Sequence, residues 1–293
     1  MLCVLGSAVA FAVAPIFAKV AYAHGVDSFA LLALRFGSAT LVVWALVLTL
    51  GPRRGRERPR RGTVLRVLAL GAVVLPAEVT LYFASLHHIG AGLAEVLLFL
   101  YPMWVVLISA VVLRQPVTRL VVGCSVAAVA GAALTVGAVS GVDLLGVLLA
   151  VGASLGFACY VVLSGRLVHG VGSLLTTALV TTGAALTFTA AALATGSRGP
   201  SDIAGWAATA GLSLVGTVVS FLLLTLGLAR MPSTEASVIS TVEPAVAVLL
   251  GVVLLGEPIG VLQVVGVAVV LGSVAVLVRQ EAADDVVDPA AGH

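Results

Sequence analysis

The chain has 293 residues, of which 61% are hydrophobic and 10% charged, with a formal net charge of +2. No soluble domain of that length has interior enough to hide so much apolar surface, so a water-soluble fold is excluded and an integral membrane protein is expected. The polar-apolar alternation of a membrane β-barrel is absent, which leaves an all-α class.

Apolar runs long enough to span a bilayer fill nearly everything except residues 51–63 and the stretch after 279. Ten transmembrane helices fit, centred roughly on residues 12, 39, 75, 101, 127, 153, 184, 216, 244 and 268. The first begins at Met1, with no basic region before it and no small-residue cleavage site after it, and reads as a retained span. Between the second and third helices lies "GPRRGRERPRRGTVLR", with seven arginines from Arg53 to Arg66. Alternate connections carry Arg114 and Arg119, Arg166, Arg230 and Arg279, while the opposite ones hold Asp27, Asp143, Arg198 with Asp202, and Glu257. The positive-inside rule therefore puts both termini in the cytoplasm. The arginine loop reads as an anchor on anionic lipid and not as a nucleic-acid site.

The fourth helix lies in "AGLAEVLLFLYPMWVVLISAVVLRQP" (91–116), which returns as "STEASVISTVEPAVAVLLGVVLLGEP" (233–258). Pro102 and Pro244 are 142 residues apart, and so are Pro116 and Pro258. "HGVDS" (24–28) likewise returns as "HGVGS" (169–173). The period predicts two five-helix repeats, 1–138 and 142–279, followed by a disordered cytoplasmic tail at 280–293. An odd number of spans inserts the second repeat upside down, so the expected fold is ten helices in two inverted five-helix repeats. A proline inside a helix removes a donor and clashes with the preceding turn, so Pro102 and Pro244 are expected helix breaks. In lipid a break persists only where protein or a wet cavity satisfies the freed backbone, and paired breaks point to a central transport site.

Several motifs carry a resemblance to a known family: "ALRFG" (33–37), "LYP" (100–102), "EP" (243–244) and "LLGEP" (254–258). In this order and spacing the chain resembles EamA-type members of the drug/metabolite transporter superfamily over nearly its whole length. The resemblance implies a permease for small organic solutes, often exported. It also implies a cavity lined by the third, fourth, eighth and ninth helices, with help from the first and sixth. The chain departs from the family pattern at Arg114-Gln115-Pro116, where Gly-Glu is usual, and at Glu95, where small or hydroxyl residues are common.

Ionisable groups deep in a span are costly and face a cavity or a partner. Glu78, Glu95 and Glu243 are the acids at such depth; an unpaired one could take up a proton and couple it to solute movement. Glu78 shares a helical face with Tyr82 and Ser85, a stripe that either lines a polar wall or forms a helix-helix seam. Glu95 is expected in the cavity or as a first-turn acid favoured by the helix dipole. Glu243 precedes the break and is expected in the cavity. Tyr101 and Trp104, on one face around Pro102, and Tyr160 in the sixth helix are candidate aromatic walls, with core packing the alternative. Lys19 and Arg35 are possible ion-pair partners, and the family likeness favours Arg35 as a clamp to a neighbouring helix.

Neither a phosphate-binding loop nor a metal-ligand set is present, and Cys3, Cys124 and Cys159 share no close spacing, so no cofactor is expected. With fourteen arginines to one lysine and abundant Ala, Val and Gly, the composition suggests a G+C-rich bacterial genome. The expected function is an inner-membrane secondary transporter whose partners are a small-molecule solute and membrane lipid. The alternative is a membrane-embedded enzyme or lipid-handling protein using the same buried acids.

Overall fold

The computed structural model describes residues 1–50, 59–89, 94, 97–114, 117–136, 143–255 and 260–287. Among them the chain is all helical. Its elements are α1 (Leu2–Ala23), α2 (Ser28–Leu50), α3 (Arg61–Ser85), α4 (Tyr101–Val112), α5 (Arg119–Val136), α6 (Leu144–Val171), α7 (Ser173–Thr195), α8 (Ile203–Leu228), α9 (Ser233–Ser240), α10 (Val242–Leu255) and α11 (Val261–Val287). Six of these, α1, α2, α3, α6, α7 and α8, are long and apolar enough to cross a bilayer, and shorter apolar helices lie within α4, α5 and α11. The chain is a multi-pass membrane protein. The last helix runs on to Val287, into the acidic stretch where the sequence reading begins the tail; the residues Gln280 to Ala283 are all tolerant of helix.

Both prolines of the repeated stretch sit where a helix restarts. Leu100 precedes α4, and Pro102 takes a position in its first turn. On the other side, α9 ends at Ser240, Thr241 makes a turn, and Pro244 is the third residue of α10. First-turn N–H groups have no intrahelical partner, so proline costs nothing there. The chain meets each proline by starting a new helix instead of bending an old one.

Among the helix contacts are α1 on α8, α2 on α7, α3 on both α6 and α7, α4 on both α6 and α9, and α5 on α11. Lipid offers no hydrophobic drive for this, so close contact and interhelical hydrogen bonds must supply it. Gly131 of α5 sits where any Cβ would meet the Gly266 carbonyl and Val270 of α11, so the two helices approach closely at this point. Hydroxyls link other helices. Ser7 donates to the Ser220 carbonyl at 2.8 Å, and the Thr177 and Thr225 hydroxyls lie 2.8 Å apart.

Two π-turns, Leu70–Val74 in α3 and Leu214–Val219 in α8, occupy corresponding places along the sequence period. A π-turn widens the helix and leaves carbonyls needing outside donors. Thr187 of α7 donates to the Ala72 carbonyl at 2.7 Å, and Arg35 of α2 donates to the Gly216 carbonyl at 2.8 Å. At the first turn α3 and α7 touch backbone to backbone. A Cβ on Gly71 would lie 2.1 Å from the Val180 carbonyl oxygen, and one on Gly183 2.5 Å from Ala72 N.

Outside the spans, Asp143 and Asp202 cap α6 and α8 by accepting from Leu145 N and Gly205 N. The second carboxylate oxygen of each meets a histidine ending another helix: His88 at 2.9 Å and His24 at 2.7 Å. The capped backbone N–H groups, then the histidines, hold both carboxyls below their ordinary range.

Candidate functional site

A cavity of about 440 Å³ opens between α1, α2, α3, α4, α6, α8 and α10. Six of the residues singled out in the sequence line it: Lys19, Arg35, Glu78, Tyr82, Tyr101 and Glu243. They come from five helices, and pairwise packing across the two halves of the chain brings them to one place.

Arg35 is fixed before any ligand arrives. Its Nε donates to Thr217 Oγ1 at 2.6 Å and its Nη2 to the Gly216 carbonyl, both in the π-turn of α8. The guanidinium carbon lies 5.2 Å from the centre of the Phe36 ring. One face of the fork therefore belongs to the wall. Lys19, by contrast, is exposed.

Glu78 leaves α3 at its contact with α6, where Gly156 makes room: a Cβ there would approach Glu78 Cβ to 3.1 Å. The residue is 7% exposed. Among the described residues, no hydrogen bond and no ion pair within 4.0 Å reaches its carboxylate; Arg35 interacts with it electrostatically from farther off. Glu243, in the first turn of α10, is half-buried and lies within electrostatic reach of Arg35 and Tyr101.

Tyr101 is 2% exposed and joins the two broken helices: its hydroxyl donates to the Ser237 carbonyl of α9 at 3.1 Å. Its ring meets Phe157 edge-on at 4.8 Å, Phe157 stacks on Tyr160 at 6.0 Å, and Tyr160 meets Phe221 at 5.8 Å. These four rings form a continuous aromatic layer beneath the cavity. On its far side, toward the C-terminal ends of α6 and α8, lies a second cavity of about 610 Å³ lined by Arg166, His169, Arg230 and Glu235 among others.

For two of the candidate aromatic walls the structure favours the packing alternative. Trp104 does not line the charged cavity; it borders a separate apolar pocket of about 420 Å³ between α4 and α5, with Met103, Leu107 and Val122. Residues three apart on a helix diverge by about 60°, enough to aim Tyr101 inward and Trp104 at α5. Tyr160 lies fully buried in the aromatic layer and does not reach the cavity surface. Glu95 lies outside the described residues. The sequence reading missed the apolar wall, including Phe11, Phe36, Phe83 and Phe99. A phenylalanine in an apolar run carries no mark that separates cavity from core. Arg166 and Arg230, which in the sequence speak only to orientation, line the second cavity together with Glu235.

An all-helical membrane protein with paired helix breaks at a charged internal cavity belongs to the class of solute transporters. The EamA-like transporter family model matches the chain twice, over residues 1–137 and 144–279. The chain belongs to the EamA-like transporter family, and with it to the drug/metabolite transporter superfamily; it is a transporter and not an enzyme. An uncharacterized transporter, YcbK, of Bacillus subtilis (strain 168) is 27% identical over 268 residues, 88% of this chain and 86% of that protein. A protein of known crystal structure that carries no functional name aligns over 94% of both chains at a TM-score of 0.78 and 22% identity, which speaks to the fold alone.

Proposed function

We propose that this transporter is a secondary permease that carries a small organic solute (a metabolite, an amino-acid-like compound or a drug) outward across a bacterial cytoplasmic membrane by alternating access. The observation that carries this reading is the pair of cavities at opposite ends of α4, α6 and α8 with a buried aromatic layer between them. A channel would need one continuous path. A carrier needs a barrier that changes sides.

In this reading α9 and α10 are the halves of one traverse, and the ten traverses form two inverted five-helix repeats, 1–138 and 142–279. The twofold family match and the packing pattern support it. Exchanging each traverse for the one five further on turns α1–α8 into α6–α3 and leaves α2–α7, α4–α9 and α5–α11 unchanged. The connections bearing Arg53 to Arg66, Arg114 and Arg119, Arg166, and Arg230 face the cytoplasm, with both termini and the segment after residue 279. The charged cavity is then outward-facing and the second cavity is the inner vestibule.

Proton coupling completes the proposal, with Glu78, Glu95 or Glu243 as the acid that exchanges a proton for solute. Counterflow in proteoliposomes across a pH series tests it. Glu→Gln at the coupling acid is expected to flatten the pH dependence, whereas unchanged pH dependence in all three variants would remove coupling from the account.

A further inference from the structure

The charges of the outer cavity are not equivalent, and the difference carries information about the solute. Arg35 has its Nε and Nη2 committed to α8. Lys19 is exposed. Glu78 alone combines burial with a carboxylate that no hydrogen bond or close ion pair satisfies among the described residues. A buried carboxylate without donors is costly, and a ligand that brings donors relieves that cost. Around it the wall is aromatic: Phe83 and Tyr82 lie on the same helix with ring centres 5.8 Å apart, and Phe11, Phe157 and Phe221 stand on α1, α6 and α8. Ring faces attract an ammonium and pack flat apolar groups. At about 440 Å³ the cavity is within the size range of sites for small organic molecules.

We infer that the solute recognised by this cavity carries a protonated amine on a ring-sized apolar body, the amine donating to the Glu78 carboxylate and the body lying among the phenylalanines. The inference rests on the permease reading and narrows its substrate class. Arg35 serves as a positioning residue in this scheme. It fixes α2 against α8 and leaves Glu78 as the group that a cationic ligand meets.

The test uses the full chain, purified in lipid nanodiscs, with three probes: tryptamine (amine and ring), indole-3-propionate (acid and ring) and ethylamine (amine without ring). Calorimetric titration is expected to give binding for tryptamine alone, weakened about tenfold or more by Glu78→Gln. Equal or tighter binding of indole-3-propionate would overturn the amine assignment, and equal binding of ethylamine would overturn the ring-sized body. Tryptamine binding unchanged in a folded Glu78→Gln variant would overturn the role of Glu78. The wild-type comparison needs no variant and stands even if Glu78→Gln fails to fold. Counterflow of labelled tryptamine separates the two readings. Glu78-dependent binding without counterflow keeps the solute class and removes transport of it. Counterflow of indole-3-propionate but not tryptamine keeps the permease and removes the class.

Discussion

Arg35 holds α2 to α8 through two hydrogen bonds, one to a side chain and one to a backbone carbonyl that the π-turn leaves open. Lysine at this position keeps the charge but loses the planar fork, so it cannot hold both acceptors in the geometry that arginine does. Arg35→Lys is expected to cost about 1–2 kcal/mol, given interhelical hydrogen bonds of about 1 kcal/mol each, and to lower the unfolding midpoint by several degrees in a detergent thermal-shift assay. An unchanged midpoint would mean that the clamp adds nothing to the fold. The loop carboxylates Asp143 and Asp202 make a second prediction. Their depressed pKa values stabilise the folded state above the ordinary carboxylate range, and that stability disappears as pH falls through the folded values. Thermal unfolding followed against pH should show the loss below the ordinary carboxylate range. Asp202→Asn, which keeps a capping oxygen without the charge, should flatten it. Of the residues in the site, the ionisable ones were legible in the sequence because burying charge in lipid demands a reason. For Tyr160 and Trp104 the choice between cavity wall and core packing was not legible, since an aromatic side chain is at home in core, cavity or lipid alike.

Among the helices, the positions of the breaks could be read from Pro102 and Pro244, because proline has few places to sit in a membrane helix. Their form could not. Whether a chain bends or restarts depends on what satisfies the freed backbone, and at α9 a tyrosine from α4 supplies the donor to the Ser237 carbonyl. The π-turns of α3 and α8 left no signal in the sequence, since Leu-Gly-Ala-Val-Val is compatible with an ordinary helix. They depend on partners in α7 and α2 more than a hundred residues away along the chain. Glycine contacts there make a sharp comparison. Gly183→Ala places a methyl group against the backbone of α3 and is expected to cost about 1–3 kcal/mol, as overpacking does. Gly37→Ala in α2 meets nothing within 4 Å and is expected to be neutral or to stabilise by up to about 1 kcal/mol through helix propensity. Equal effects of the two substitutions on the unfolding midpoint would refute the close approach of α3 and α7.

For the whole molecule, the membrane class could be read from composition and the family from motif order, and the family model matches both halves. The pairing of helices across those halves was not legible, because it arises from small-residue seams and hydroxyl bonds that many other pairings could equally use. That pairing is what builds the charged cavity on one side of the aromatic layer and the vestibule on the other. The most direct test of this arrangement is sidedness. In protein lacking Cys3, Cys124 and Cys159, a single cysteine is placed at Val79 in the charged cavity or at Ser233 in the vestibule. Each is exposed to a membrane-impermeant maleimide in right-side-out and inverted vesicles. The account predicts that Val79→Cys reacts from the outer face and Ser233→Cys from the inner face, and that adding Tyr101→Ala opens Val79→Cys to the inner reagent. Reaction of both positions from the same face would contradict it.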